Sequence, residues 1–323
     1  MKLTRISDIE PGSTCKGFYQ LTRMDRRTTR NGDPFLDCLL SDRTGRISAK
    51  WWNVPEAAFD WLNPGMVVAA AGEAQEYQNT VQLVVDQITP AREGQLERFG
   101  LQYADVVPSS QYDVDQMWED VMEIIESVEN VHLRDLVWRI YHQFEEEIRS
   151  HPGSIKHHHL YRGGFLEHVW SLVQLGTFVA DHYYELDRGL FLAGLLLHDI
   201  GKLLEIKSDA ERQYTDEGQF IGHVILGRDL VRETVGNYIP EFPDDLLVQL
   251  EHIILAHQGD PDHGSPKRPS TLEALVISRL DHLDTTVEQF LSTLAHDSGT
   301  TDWTLPTRTF PYPLYKGSGE EQE

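Results

Sequence analysis

Cysteine is scarce in this sequence: Cys15 and Cys38 are the only two among 323 residues, and no C-x-x-C pair occurs. That excludes a disulfide framework and a cysteine-based zinc or redox site, and leaves both as ordinary strand residues. Long apolar runs are absent as well. The longest, Leu190 to Leu197, spans eight residues, against the ~20 that a membrane helix needs. The opening MKLTRISDIEPG has no apolar signal core, so a cytoplasmic chain with no membrane partner is expected. Positive charge is in short supply: 28 Lys and Arg stand against 52 Asp and Glu, a net of −24. This balance excludes broad electrostatic binding to nucleic acid, which needs a basic footprint. It leaves room for a local basic arm or an acidic site that carries metal.

The residues that are present divide the chain. Residues 1–90 hold ten Lys and Arg and eleven Asp and Glu, a net of −1; residues 91–323 hold eighteen and forty-one, a net of −23. All fifteen histidines lie between His132 and His296. Two domains with different tasks account for this most simply, and the length supplies a core for each.

The first part reads as β. Ser13 to Arg23, PFLDCLL from Pro34, RISAKWW from Arg46, MVVAAAGEA from Met66 and VQLVVDQI from Val81 are short, rich in β-formers and separated by turn residues. Five strands within residues 1–90 predict a small closed barrel of the oligonucleotide-binding (OB) type, which leaves few edges and needs no disulfide. Between the first two strands lies LTRMDRRTTRNGD, where Arg23, Arg26, Arg27 and Arg30 outnumber Asp25 and Asp33. Such a loop can track phosphates, and Trp51, with Trp52, Phe59, Trp61 and Tyr77 beside it, can offer stacking faces to unpaired bases. The competing reading makes the arginines a solvated hairpin tip and any single Trp a core residue.

Residues 91–112 read as a linker, 113–300 as an all-helical domain and 301–323 as an extended, partly disordered tail with three prolines and an acidic end. Asp113 is placed to cap a helix, and Val114, Met117, Trp118, Val121, Ile124, Ile125 and Val128 follow helical spacing. Leu133 to Ile148 repeats the pattern up to Pro152-Gly153, and further amphipathic stretches cover about 165–182, 186–198, 222–235, 245–257 and 272–294. The fold class expected is multidomain α+β, a five-stranded barrel followed by an α domain.

The chemistry concentrates in LLLHDIGK. His198 and Asp199 close the most apolar run of the chain, so they fall inside or at the mouth of the helical core. A carboxylate there is costly unless paired or bound to a cation, and one metal ion would satisfy both residues. Candidate companions are His168, His223, His252, His257 and Asp281, each on a predicted helix or at its end. Mixed imidazole and carboxylate donors suit manganese, iron or zinc better than magnesium. Lys202 stands four residues past His198, on the same helical face if the helix continues, where it can hold a phosphate oxygen. Lone histidines are more often core residues than ligands, which is the reading for His132, His142, His182 and His296. The run His157 to His159 is either an active-site rim or a polar loop. Gly201-Lys202 is no phosphate loop, because Leu196 and Leu203 stand where that motif wants a glycine and a Ser or Thr.

The order His168, His198-Asp199, Asp281 resembles the HD superfamily of metal-dependent phosphohydrolases. More closely, the chain resembles the YhaM-type 3′-5′ exoribonucleases, which join an OB-type domain to an HD domain. HHLYRGGFLEH, LFLAGLLLHDIGK, Ile221-Gly222-His223, LEHIILAHQG and GSPKRPSTLEALVISRLDHLD carry the resemblance. It implies that His168, His198, Asp199 and Asp281 hold one divalent metal, most readily Mn2+, and that Asp199 bridges to a second held by His223 and His257. It implies hydrolysis of single-stranded RNA or DNA to nucleoside 5′-monophosphates, with Asp199 and Lys202 catalytic and Arg23, Arg26, Arg27, Arg30 and Trp51 holding the strand. Where the family carries two adjacent histidines, this chain has His257-Gln258. Two other outcomes stay open: an HD enzyme acting on a nucleotide or cyclic dinucleotide, and a strand-binding module without catalysis. The sequence also leaves open RNA against DNA, one ion against two, and whether the chain acts alone or as a homo-oligomer.

Overall fold

The computed structural model describes residues 3–317 apart from 30–31, 53, 56–57, 78–79, 93, 108, 155–160, 208–212 and 298–300. The chain divides into two compact units, Met1–Gln111 with Ile206–Tyr214, and Tyr112–Glu205 with Thr215–Glu323.

The first unit is a closed barrel of β1 (Thr14–Thr28), β2 (Pro34–Asp42), β3 (Gly45–Trp52), β4 (Val67–Tyr77) and β5 (Thr80–Pro90). Its strand order is β1-β2-β3-β5-β4, with β3 and β5 parallel and β4 closing on β1. This is the OB-type topology expected. The fifteen-residue β1 serves two neighbours, pairing with β4 over Thr14–Gln20 and with β2 over Gln20–Thr28. A register shift between Leu21 and Arg23 bends it from one to the other, as a bulge does in a small barrel. Tyr19, Leu21, Leu36, Leu40, Leu83, Ile88 and both free cysteines fill the interior. Helix α1 (Ala58–Trp61) follows β3, and Ala58 and Leu62 join that core.

Two expectations need correction. Strand β1 continues to Thr28, so Arg23, Arg26 and Arg27 sit on a strand and not in a loop. The expected linker contains α2 (Gln95–Arg98) and α3 (Tyr103–Val106), whose Leu96 and Val106 bury Phe18 on the outside of the barrel.

The second unit holds α4 (Val114–Glu126), α5 (Val131–Gln143), α6 (Glu145–Ser150), α7 (Gly164–His182), α8 (Arg188–Leu197), α9 (Lys202–Glu205), α10 (Asp216–Phe220), α11 (His223–Tyr238), α12 (Asp244–Ala256) and α13 (Leu272–His296). Asp113 caps α4 as expected, accepting from the amides of Asp115 and Gln116. Every residue of α8 from Leu190 to Leu197 is buried, and α5, α7, α12 and α13 pack around it. The expected tail is ordered from 301 to 317. Thr304 donates to the Leu314 carbonyl, Lys316 to that of Asp302, and Phe310 and Leu314 are buried. No described helix is long and apolar enough to cross a membrane.

Candidate metal centre

Because α8 runs through the middle of the helical core, its C-terminus delivers His198 and Asp199 to the interior, 0% and 3% exposed. The neighbouring helices bring the rest: His168 from α7, His257 from the end of α12 and Asp281 from α13. His223 opens α11, and two glycines place it. Gly222, at φ 84, is in a conformation that side chains resist. At Gly201 a Cβ would stand 2.0 Å from the His223 carbonyl oxygen and 2.4 Å from the Gly227 nitrogen. Only a glycine at 201 lets α11 approach so near to Asp199.

Four imidazoles present Nε2 to two carboxylates. Asp199 Oδ1 lies 3.4 Å from Nε2 of both His223 and His257, and Oδ2 lies 3.5 Å from His198 Nε2 and 3.7 Å from His168 Nε2. Asp281 Oδ1 stands 3.3 Å from His168 Nε2 and 3.9 Å from His198 Nε2. Ligand atoms of His168, His198, Asp199 and Asp281 all lie within 4.8 Å of one another, as do those of Asp199, His223 and His257.

Each ring is held by its other nitrogen. Nδ1 of His198 donates to the Leu195 carbonyl and Nδ1 of His257 to that of Ile254, both at 2.8 Å. Nδ1 of His168 donates to Asp284 at 2.7 Å, and Nδ1 of His223 to Glu205 at 3.1 Å. With Nδ1–H committed, the neutral form of each ring turns an Nε2 lone pair into the cluster, the tautomer that metal ligation requires. The buried His198 Nε2 and Asp199 Oδ1 make no hydrogen bond. Buried polar atoms seldom go without a partner, and this donor set fits a divalent cation.

The electrostatics agree. Burial pushes His198 down to about 4, so this ring is neutral at pH 7. Burial also pulls on His168, but its hydrogen bonds to Asp281 and Asp284 hold it up at about 9, so a proton and a metal would compete for it. Burial opposes ionisation of Asp199 and Asp281, yet Lys202 and the histidines hold Asp199 low, and His168 and His198 do so for Asp281. Asp199 raises His257 against its burial in the same way. Lys202 is buried, with Nζ 2.5 Å from Asp199 Oδ2. That carboxylate outweighs the burial and keeps the ammonium charged.

All six expected ligands therefore meet. His252 does not: its Nε2 accepts from the Ser270 amide, outside both groups. His132, His142 and His182 also stay apart from the cluster, His142 and His182 at the exposed surface. His157 to His159 lie outside the described residues. The reading of the sequence missed Asp284 and Glu205. Asp284 also accepts from Ser171, which fixes it against His168. Its signal was the spacing Asp281-x-x-Asp284, one face of one helix, together with the need of a ligating histidine for an acceptor. Gln258 was noted only as a departure, and its amide nitrogen stands 3.1 Å from His223 Nε2, donating to the lone pair that would otherwise ligate.

On the barrel, the expected strand-binding residues part company. Arg23, Asp25 and Arg27 share the outward face of β1. Arg23 and Arg27 pair with Asp25 at 3.3 and 3.7 Å, and Arg27 pairs with Asp37 of β2 at 3.2 Å. Asp37 also binds Lys50 of β3. Arg26 alternates to the other side of β1, and Arg30 lies outside the described residues. Trp51 is a correction: it is 5% exposed inside the barrel, in phase with Ile47 and Ala49, and has no face for a base. Trp52 points outward, 39% exposed, its ring 4.4 Å from that of Phe35.

Comparison with known proteins agrees with this architecture. A family model described as an HD domain matches residues 165–286, and one described as an OB-fold nucleic acid binding domain matches residues 21–91. The 3′-5′ exoribonuclease YhaM of Listeria innocua is 31% identical over 296 residues, covering 90% of this chain and 91% of that protein. The protein of the same name from Listeria welshimeri is 30% identical over the same shares. That of Listeria monocytogenes serotype 4b is 29% identical over 320 residues, 97% of this chain and 99% of its own. With the barrel, the His-Asp centre and this similarity over nearly its whole length, the chain belongs to the YhaM family of metal-dependent 3′-5′ exoribonucleases.

Proposed function

We propose that this chain removes nucleotides one at a time from the 3′ end of single-stranded RNA and releases nucleoside 5′-monophosphates. The same centre would accept single-stranded DNA unless some residue reads the 2′-hydroxyl. The observation that carries this reading is the convergence of four histidine Nε2 atoms on Asp199 and Asp281 inside the helical unit.

His168, His198, Asp199 and Asp281 would hold one divalent ion, Mn2+ by the character of the donors, and Asp199, His223 and His257 a second. When bound, such an ion supplies Lewis-acid charge at the phosphoryl oxygens and lowers the pKa of an attacking water. The chain's own residues do the rest. Asp284, Glu205 and the carbonyls of Leu195 and Ile254 keep the four rings turned inward. Lys202 keeps Asp199 ionised and adds positive charge beside the reacting phosphate. The Gln258 amide must leave His223 Nε2 before that nitrogen can ligate, which favours one tightly held ion and a weaker second.

The barrel would hold the strand. Arg23, Arg27 and Lys50 on the outward face of β1-β2-β3 offer charge to phosphates, with Arg26 on the other side of β1, and Trp52 offers a ring to a base. The two buried, free cysteines suit a cytoplasmic setting.

The test is digestion of a 5′-labelled single-stranded RNA with Mn2+, run beside DNA of the same sequence. A ladder shortening from the 3′ end with nucleoside 5′-monophosphate as product is expected. Internal cuts, or intact strands while free nucleotides are hydrolysed, would overturn the proposal.

A further inference from the structure

In the barrel unit the arginines of β1 are already neutralised in part, since Arg23 and Arg27 pair with Asp25 and Asp37. Three other arginines of this unit differ. Arg5, Arg92 and Arg98 are exposed, and among the described residues no carboxylate pairs with their guanidinium groups. In a chain of net charge −24, three exposed cations with no described carboxylate partner, gathered around one feature, call for an explanation.

That feature is Phe99, at the C-terminal end of α2. It is 50% exposed, and its ring packs 5.5 Å from that of the buried Phe18 at an interplanar angle of 55°. Phe18, Leu96 and Val106 form a small core beneath it, so the half-open ring rests on a fixed support. Phe99 lines two hollows. The larger, of about 920 Å³, is bounded by Thr89, Ala91, Arg92, Gln95, Arg98 and Phe99, within the ~300–1,000 Å³ typical of ligand clefts. The smaller, of about 290 Å³, includes Arg5 and Phe18. The acidic residues beside the smaller hollow are engaged: Asp42 accepts from the Ile6 and Thr44 amides, and Asp105 pairs with Arg43. Glu97 does not line the larger one, and Glu93 lies outside the described residues.

We infer that the groove of Arg92, Gln95, Arg98 and Phe99 is a second single-strand contact on the barrel unit, separate from the outward face of β1-β2-β3. A base stacks on Phe99 while Arg92 and Arg98 take flanking phosphates. Supported aromatic faces with cations alongside are the elements by which single strands are held without reading sequence. An acidic or apolar partner fits less well, because a ring edged by exposed guanidiniums matches a polyanion of flat bases. The inference rests on the RNA reading above.

The test is binding of a labelled single-stranded RNA to the full chain with chelator present, so that nothing is cut, across a range of salt. Three proteins are compared: wild type, Arg92→Gln/Arg98→Gln and Phe99→Leu, the last keeping apolar contact with Phe18. The double variant should lower the salt slope by roughly 1.4, at ~0.7 for each phosphate no longer neutralised. The Phe99→Leu protein should bind about 5- to 100-fold more weakly with an unchanged slope. If wild type binds and both variants match it in affinity and slope, the groove is not a strand contact, although the RNA reading survives. If wild type does not bind, both fall. Sedimentation of the same proteins gives the remaining outcome: dissociation of an oligomer by Phe99→Leu would assign the groove to a second copy and overturn the inference.

Discussion

The two units handle charge in opposite ways. In the helical unit, the clustered histidines and carboxylates lie inside the fold, and each of the four clustered rings is fixed by a named acceptor. On the barrel, arginines lie at the surface, Arg23 and Arg27 among them in ion pairs shared with Asp25 and Asp37. Buried, mutually fixed groups leave one arrangement and one chemistry, whereas exposed cations are each worth little, and several together set affinity. Changes in the helical unit should therefore abolish cutting, and changes on the barrel should grade it.

The largest effect is expected at Asp199, which both ligand groups share. Asp199→Ala should lower turnover at least about 10³-fold while strand affinity, measured by anisotropy, stays within about twofold. Equal loss of both would erase the division between the units. Next comes Gly201→Ala, whose Cβ would meet backbone atoms at 2.0 and 2.4 Å. A cost of about 3 kcal/mol would lower Tm by roughly 5–10 °C, read by calorimetry; an unchanged Tm would deny the close approach of α11. Asp284→Ala should weaken Mn2+ binding by about 10- to 100-fold, read by the spin resonance of free Mn2+, with Asp284→Glu recovering part of it. Smallest is Arg23→Gln with Arg27→Gln, for which about 3- to 10-fold weaker binding of long strands is expected because Asp25 and Asp37 already share those charges. Dinucleotide hydrolysis should suffer less, and equal effects on both would deny the barrel its part in holding the strand.

The His-Asp cluster was legible because one physical constraint dominates it. A His-Asp doublet at the end of an eight-residue apolar run must be buried, and a buried carboxylate must be compensated. The choice of His168, His223, His257 and Asp281 as companions came from the resemblance to the HD superfamily, because helix periodicity offered His252 as readily. Asp284 stayed hidden because its value depends on where α13 crosses α7, which spacing along one helix does not give. The barrel surface was harder to read. Residues 23–28 look like a turn by composition, yet cross-strand pairing of Asp25 with Asp37, between Arg23, Arg27 and Lys50, extends β1 through them. Trp51 and Trp52 exchange roles with a one-residue change of phase, and only Ile47 and Ala49, alternating with Ser48 and Lys50, hinted which ring turns inward. The ordered segment 301–317 depends on Phe310 and Leu314 finding cover, and the three prolines around them suggested disorder instead.

The central claim is that cutting follows metal held through Asp199. Mn2+ titration of the metal-stripped full chain tests it most directly, with bound ion and RNA digestion measured on the same samples, beside Asp199→Ala. The expected result is digestion that rises in step with the first tightly bound ion, while Asp199→Ala binds RNA but neither retains that ion nor cuts. Digestion by the stripped protein in chelator, or an Asp199→Ala protein that retains the ion and cuts like wild type, would contradict it.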